Sequence, residues 1–435
     1  MKKLLLLAYE FPPMTSGGSF RPWKFANHLS HFGIEVTVIT PQREQKLNDS
    51  DLNFSLEYTE PVEKLAFEKL YHSFYLNVLD PEAKKWKKPL VKKLEELMQL
   101  KAFDAMMVTA PPFSISSLAV SISKRYNLPL IVDLRDAWSQ WIMTPYASLL
   151  HYQILRRIEA KVFNNAAAII SVTEQLCQNF RELHPSNAGK IHYVPNAYEE
   201  PLQIAEQPLQ FEPKTDQNPF IIGYVGSFYF EPYQRDLIFN PWWKKKPWQY
   251  LQYVPHKEDW KYRSPYYFFK AIRLLLDKRP DLNAKIQIKF IGTAFQWLKD
   301  MIQLFNLENH VELLGKKNHS ESLLFQKNCD ALLLTSVKVI GGKDYCIAGK
   351  SFEYLSMEKP ILGFLTEGSQ KDFLEKTGLG VLCDPDDTER SAQTIENLLD
   401  FGTVLTPQAN HIKDFSINIT TEKLARIILK LTQTQ

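Results

Sequence analysis

Residues 343–364 read KDYCIAGKSFEYLSMEKPILGF. Gly349 frees the backbone for a turn, and Lys350 and Ser351 follow where a helix would begin. A helix start exposes N–H groups that attract anions. Phe352, Leu355 and Met357 give this helix an apolar side, and Glu353 projects from its first turn. Pro360 is expected to end it, with residues 361–364 as a strand buried on both faces. A carboxylate one turn inside such a helix can accept both hydroxyls of a ribose, while N–H groups and Lys350 hold the attached phosphates. On an isolated helix, Glu353 would only complement the dipole.

The chain on either side alternates strands and helices. Residues 4–8 predict a buried strand, residues 20–32 a helix stopped by Gly33, and residues 36–40 a second strand. The intervening loop carries EFPPMTSGG over residues 10–18, at the strand end where doubly wound folds bind ligands. It lacks G-x-G-x-x-G, so a dinucleotide fingerprint is missing and a nicotinamide oxidoreductase is the weakest reading. Residues 128–132 predict another buried strand, ending in DLRDAW at 133–138. Charged residues there seldom serve packing, because burying them unpaired is costly. Residues 220–225 predict a strand with Gly226 and Ser227 as its turn.

Taken together, these stretches resemble the family-4-type glycosyltransferases of the GT-B fold. Lys350, Glu353, Tyr354 and the Pro360-Ile361-Leu362 run match the donor-nucleotide segment. The family often carries an acid eight positions before the glutamate; Tyr345 stands there, with Asp344 one out of register. The resemblance implies that Gly17, Gly18, Gly226, Ser227, Lys350, Ser351 and Glu353 bind the donor. It places Glu10, Trp138 and Asn196 on the acceptor side. Arg135 and Asp136 become the candidate catalytic pair facing sugar or acceptor, with no proton-transfer role assigned to either. It further implies retention at the anomeric carbon and neither metal nor cofactor, the nucleotide sugar being a substrate.

At 435 residues the chain suits two domains, and its 45% hydrophobic and 23% charged content is ordinary for a globular protein. A net charge of +3 implies no commitment to nucleic acid. Four scattered cysteines fit a reducing compartment, and no run approaches a membrane span, so the expected location is cytoplasmic. The segment KKWKKPLVKK at 84–93 suggests peripheral contact with an anionic membrane at the inner face of the cell membrane, Trp86 lying among the headgroups. The alternative is a solvated helix face. A second unusual stretch, about 229–264, holds Trp242, Trp243, Trp248, Trp260 and the lysines 244–246. Aromatic platforms suit sugars and basic-aromatic mixtures suit headgroups; an ordered cap packing its own tryptophans is the bland alternative.

The expected architecture is therefore α/β, of GT-B type, with two doubly wound Rossmann-like domains facing across a cleft. The boundaries are 1–198 for the acceptor-side domain, 199–219 for a linker, and 220–415 for the nucleotide-sugar domain with its insertion. Residues 416–435 form a helix packing back. The expected function is a retaining transferase moving a sugar from a nucleotide diphosphate to a glycan or lipid-linked acceptor, in bacterial surface polysaccharide or glycolipid synthesis. The alternatives are a sugar-nucleotide epimerase of the same fold and a non-catalytic sugar-nucleotide-binding scaffold. Sugar, base and acceptor are left open.

Overall fold

The apolar runs and the glycine stops resolve into two separate α/β units. The computed structural model describes residues 1–14, 16–44, 47, 52–62, 80–140, 143–199, 202, 204–205, 207–214 and 218–433. Unit 1 comprises Met1–Ala197, Pro241–Pro255 and Phe415–Gln435; unit 2 comprises Tyr198–Asn240 and His256–Asp414.

Unit 1 is built on seven parallel strands: β1 (Lys2–Ala8), β2 (Ile34–Pro41), β3 (Ser55–Thr59), β4 (Ala105–Ala110), β5 (Leu130–Leu134), β6 (Ala168–Ser171) and β7 (Ile191–Tyr193). Their order is β3-β2-β1-β4-β5-β6-β7, so the chain winds outward in both directions from β1. Leu4, Leu5, Leu6 and Leu7 are fully buried, as a strand covered on both faces requires. The helix Phe20–His28 packs Phe25 and Ala26 into this core, and the carboxyl-terminal helix Ile417–Gln433 adds Leu424, Ala425 and Ile428. A short helical turn, Leu29–Phe32, continues the first of these helices and is stopped by Gly33 at φ 73°.

Unit 2 contains β8 (Leu209–Phe211), β9 (Phe220–Val225), β10 (Glu258–Asp259), β11 (Ile286–Ile291), β12 (Val311–Leu313), β13 (Ala331–Thr335), β14 (Lys338–Val339), β15 (Ile361–Phe364), β16 (Gly380–Cys383) and β17 (Thr403–Leu405). Six of these strands form a parallel sheet in the order β12-β11-β9-β13-β15-β16, with its switch point at β9. The rest form two antiparallel pairs, β8 with β17 and β10 with β14.

The structure departs from the sequence reading in several places. Residues 209–211, read as linker for want of a hydrophobic period, pair with Thr403–Leu405; a three-residue strand is too short to show one. Residues 200, 201, 203, 206 and 215–217 of that linker lie outside the described residues. The insertion is not one body: Pro241–Pro255 belongs to unit 1, while its flanks belong to unit 2. Trp86 is fully buried rather than at a surface. Its indole Nε1 donates to Thr59 Oγ1 at 3.0 Å and its ring meets Tyr9 edge-on. The helix Pro81–Leu100 thus turns its tryptophan to the sheet, and Lys92 and Lys93 pair with Glu60 and Glu57 at 2.5 and 2.8 Å. Among the described residues no helix is long and apolar enough to cross a membrane.

Candidate active site

In unit 1 the site residues gather where β1, β4 and β5 end. Arg135 leaves β5 and donates from Nη2 to Glu10 Oε2 at 2.8 Å, and also to the carbonyl of Pro111. Its Nε donates to the Ala110 carbonyl at 3.3 Å. Gly18 lies against this pair: a Cβ there would fall 1.4 Å from Arg135 Nη1 and 2.1 Å from Glu10 Oε2. A side chain at the second glycine of the loop would thus displace the Arg135–Glu10 pair, whereas a Cβ at Gly17 would meet open space. Arg135 and Glu10 are mostly screened from water, at 8% and 23% side-chain exposure, and so hold a fixed charge pair beside the glycine loop. Trp138 is 4% exposed and stacks on Phe113 at 5.5 Å, so it walls the site rather than offering a free platform. Asp136 follows Arg135, half-buried.

Behind that pair lies an ion pair the sequence reading passed over. Asp133 is fully buried and accepts from Arg21 Nε at 3.1 Å and from Thr109 Oγ1 at 3.0 Å. Arg21 also donates to the carbonyls of Pro195 and Val194, each at 2.8 Å, and to Asn196 Oδ1 at 3.2 Å. The Asn196 acceptor oxygen is therefore used within the fold. The available signal was Asp133 itself, an acid at the end of a buried strand that demanded a cation partner.

In unit 2 the counterpart forms at the end of β9. Gly226 takes φ 102° and Gly292 φ 152°, and a Cβ on Gly292 would sit 2.3 Å from the Gly226 carbonyl oxygen. Ser227 Oγ donates to Thr293 Oγ1 at 3.1 Å, joining the two turns. Lys350 reaches this place: its Nζ stands 3.4 Å from the centroid of the Tyr224 ring and would lie 3.3 Å from a Cβ on Gly226. Burial holds the Lys350 ammonium well below its usual range, and Arg263 pushes the same way against Glu353. Glu353 is half-buried, and its Oε2 accepts from Gln326 Nε2 at 3.4 Å. Gln326 is fully buried, and its own Oε1 has no partner among the described residues.

Two expectations for this segment are corrected. The helix runs only Lys350–Tyr354, closing in turns well before Pro360. The N–H groups of Ser351 and Phe352 already donate to the carbonyls of Ala348 and Gly349, so they are not free for phosphate. Ser351 Oγ, fully buried, donates to Gln370 Oε1 at 3.1 Å. Of the segment's charged groups, Lys350 stands at the Gly226 turn and Glu353 is bonded to Gln326.

Tyr345, where the resemblance led one to look for an acid, is buried and donates to Glu258 Oε1 at 2.7 Å. The same buried carboxylate binds His256 Nε2 at 2.7 Å and accepts from Trp260 Nε1 at 3.1 Å. The tyrosine thus anchors the end of the insertion. The neighbouring Asp344 is 1% exposed; its Oδ1 accepts from the Cys346 N–H at 2.9 Å and its Oδ2 has no partner among the described residues. Burial pushes its carboxyl up to about 7, against the pull of Arg263.

Family models identify both halves. "Glycosyltransferase Family 4" matches residues 16–200 and "Glycosyl transferases group 1" matches residues 258–413. Among solved structures, sucrose-phosphate synthase from Thermosynechococcus elongatus is 12% identical at a TM-score of 0.56, covering 100% of this chain and 98% of its own. The lipopolysaccharide outer core galactosyltransferase WaaB, in apo form, is 13% identical at 0.55, with 98% and 99% covered. An E. coli trehalose-6-phosphate protein bound to UDP-2-fluoro glucose is 14% identical at 0.57, with 99% of each chain covered. A search of curated proteins finds no match. The matched models and the two Rossmann-like sheets lead to one conclusion: this chain belongs to the GT-B glycosyltransferases of the family-4 type.

Proposed function

We propose that this glycosyltransferase moves a sugar, with retention at the anomeric carbon, from a nucleotide diphosphate to a glycan or lipid-linked acceptor in surface polysaccharide or glycolipid synthesis. Unit 2 binds the donor: Glu353 accepts the ribose hydroxyls, and Lys350 with the turns at Gly226 and Gly292 faces the diphosphate. The observation that carries this reading is the position of Lys350, half-buried over the Tyr224 ring beside a strand-end glycine. Such an amine has its charge restored by an arriving anion. Glu10 and Arg135 form the acceptor-side wall, with Gly18 packed directly against them. No metal enters the proposed scheme; the lysine neutralises the departing diphosphate. In support, one solved relative of this fold is described in complex with UDP and another with a UDP sugar.

The test is product analysis with a panel of nucleotide sugars, run with and without chelator. A transferase releases free nucleotide only when acceptor is supplied, and chelator leaves the rate unchanged. The structural likeness to a UDP-GlcNAc 2-epimerase from Methanocaldococcus jannaschii, 12% identical at a TM-score of 0.50, makes the epimerase the second reading. Epimerised donor with no acceptor dependence decides for it.

A further inference from the structure

The Trp-rich insertion buries only one of its four tryptophans. Trp260 is 6% exposed, whereas Trp242, Trp243 and Trp248 are 70%, 67% and 72% exposed, and Leu251 is 75% exposed. The backbone that carries them is ordered. Short helical turns span Trp242–Lys244 and Pro247–Gln249, and the Gln249 side chain accepts from the Lys246 N–H at 2.9 Å. Tyr253 exchanges both backbone hydrogen bonds with Tyr146, at 2.9 and 3.0 Å. The rings are therefore displayed by a fixed frame, not left over from poor packing.

The same frame brings a second apolar surface close. Tyr152, in the helix Leu149–Asn165, packs its ring 5.0 Å from Tyr253. That helix exposes Leu149, Leu150 and Ile154 along one side. Arg157 and Lys161 follow on the solvent side, also exposed.

The charge pattern points to the occupant. No acidic residue occurs from Leu237 through Lys257, and Lys244 and Lys246 stand exposed among the tryptophans. Protein interfaces are depleted in lysine, whereas tryptophan and lysine together suit the headgroup level of an anionic bilayer. We infer that the 242–251 loop and the first turns of helix Leu149–Asn165 form one docking surface for an anionic membrane. The contact expected of the 84–93 segment thus moves to unit 1's exposed tryptophans. Docking gives the proposed transfer to a lipid-linked acceptor its physical site, yet it is measured without donor or acceptor and so is judged separately from it.

The test is co-sedimentation of the full chain with phosphatidylcholine vesicles carrying about one-third phosphatidylglycerol, and with pure phosphatidylcholine. Wild type binds the anionic vesicles, and binding falls at least tenfold between 0.1 and 0.5 M salt as screening tightens. The variant Trp242→Ala/Trp243→Ala/Trp248→Ala keeps its melting temperature and loses at least tenfold in partition. Lys244→Glu/Lys246→Glu loses more than fivefold per lysine, about the factor an interfacial cation supplies. Lys88→Glu/Lys92→Glu, on the helix Pro81–Leu100, binds like wild type. Equal partition of the tryptophan variant and wild type overturns the inference. So does equal binding to neutral vesicles, or self-association that the tryptophan variant abolishes in the absence of lipid binding.

Discussion

Glu353 stands out in the sequence because its spacing from Lys350 and Tyr354 matches a family motif, but its environment was not legible there. The structure adds Gln326, fully buried, with its amide nitrogen on Glu353 and its oxygen unpaired among the described residues. Lys350 shows the same limit: sequence gives a lysine at a helix start, and only tertiary packing puts it over Tyr224. Its lowered proton affinity has a consequence for donor binding. An anion raises the amine's pKa, so binding takes up a proton, and affinity falls as pH rises above the pKa of the unliganded lysine. Calorimetric titrations in two buffers of different ionisation heat will show the uptake, and Lys350→Gln will abolish it. Asp344 titrates in the opposite sense. Its carboxyl is raised from 3.8 to about 7, so the folded state holds a proton the unfolded state releases, and the stability gained from that proton is lost as pH rises through 7. Asp344→Asn keeps the amide neutral throughout, and therefore gains stability over wild type by up to about 4 kcal/mol between pH 5 and 8. A wild-type and variant pair whose melting temperatures track each other over that range contradicts the assignment.

At the scale of elements, strand ends were readable and their internal wiring was not. The pattern DLRDAW marks charge at the end of β5, yet nothing in it says that Asp133 points back to Arg21 while Arg135 points out to Glu10. Both acids and both arginines look alike in sequence; the acids' burial separates them, Asp133 being fully buried and Glu10 partly exposed. Arg21 ties the helix Phe20–His28 to the ends of β5 and β7, through Asp133 and the carbonyls of Val194 and Pro195. Removing one partner of a buried pair leaves an uncompensated charge, which costs about 3–5 kcal/mol. Arg21→Leu will therefore lower the denaturant-unfolding free energy of the first unit by that amount, while Glu10→Gln, at a carboxylate less buried than Asp133, will leave it nearly unchanged. Equal effects on stability would erase the distinction between a structural and a substrate-facing pair. The insertion offers the complementary case. Its lysine and tryptophan content was visible, but its anchor was hidden, because a tyrosine in the place of an acid gives no sign that it serves Glu258. Tyr345→Phe removes one of three donors from that buried carboxylate and will cost about 1–3 kcal/mol. Limited proteolysis within residues 229–264 will report it as faster cleavage.

At the scale of the whole molecule, alternating apolar strands and helices gave two doubly wound units and a last helix packing back; that helix places its core residues in unit 1. The same reasoning missed β8 and kept the whole insertion with the second domain, because three-residue strands and aromatic loops carry no period from which to read them. What unites the units chemically is that each presents a glycine-lined turn at the end of the first strand of its sheet, with a cation and a carboxylate nearby: Arg135 and Glu10 in the first, Lys350 and Glu353 in the second. The central claim is that the second of these grips the nucleotide of the donor. The measurement that tests it most directly is calorimetric titration of wild type and Glu353→Ala with UDP, GDP, ADP, CMP and dTDP. The account predicts that one nucleotide binds wild type and that the variant, folded and with an unchanged melting temperature, binds it at least about a hundredfold more weakly, the loss of two charged hydrogen bonds at roughly 1.5–3 kcal/mol each. A folded variant that binds that nucleotide as tightly as wild type contradicts it.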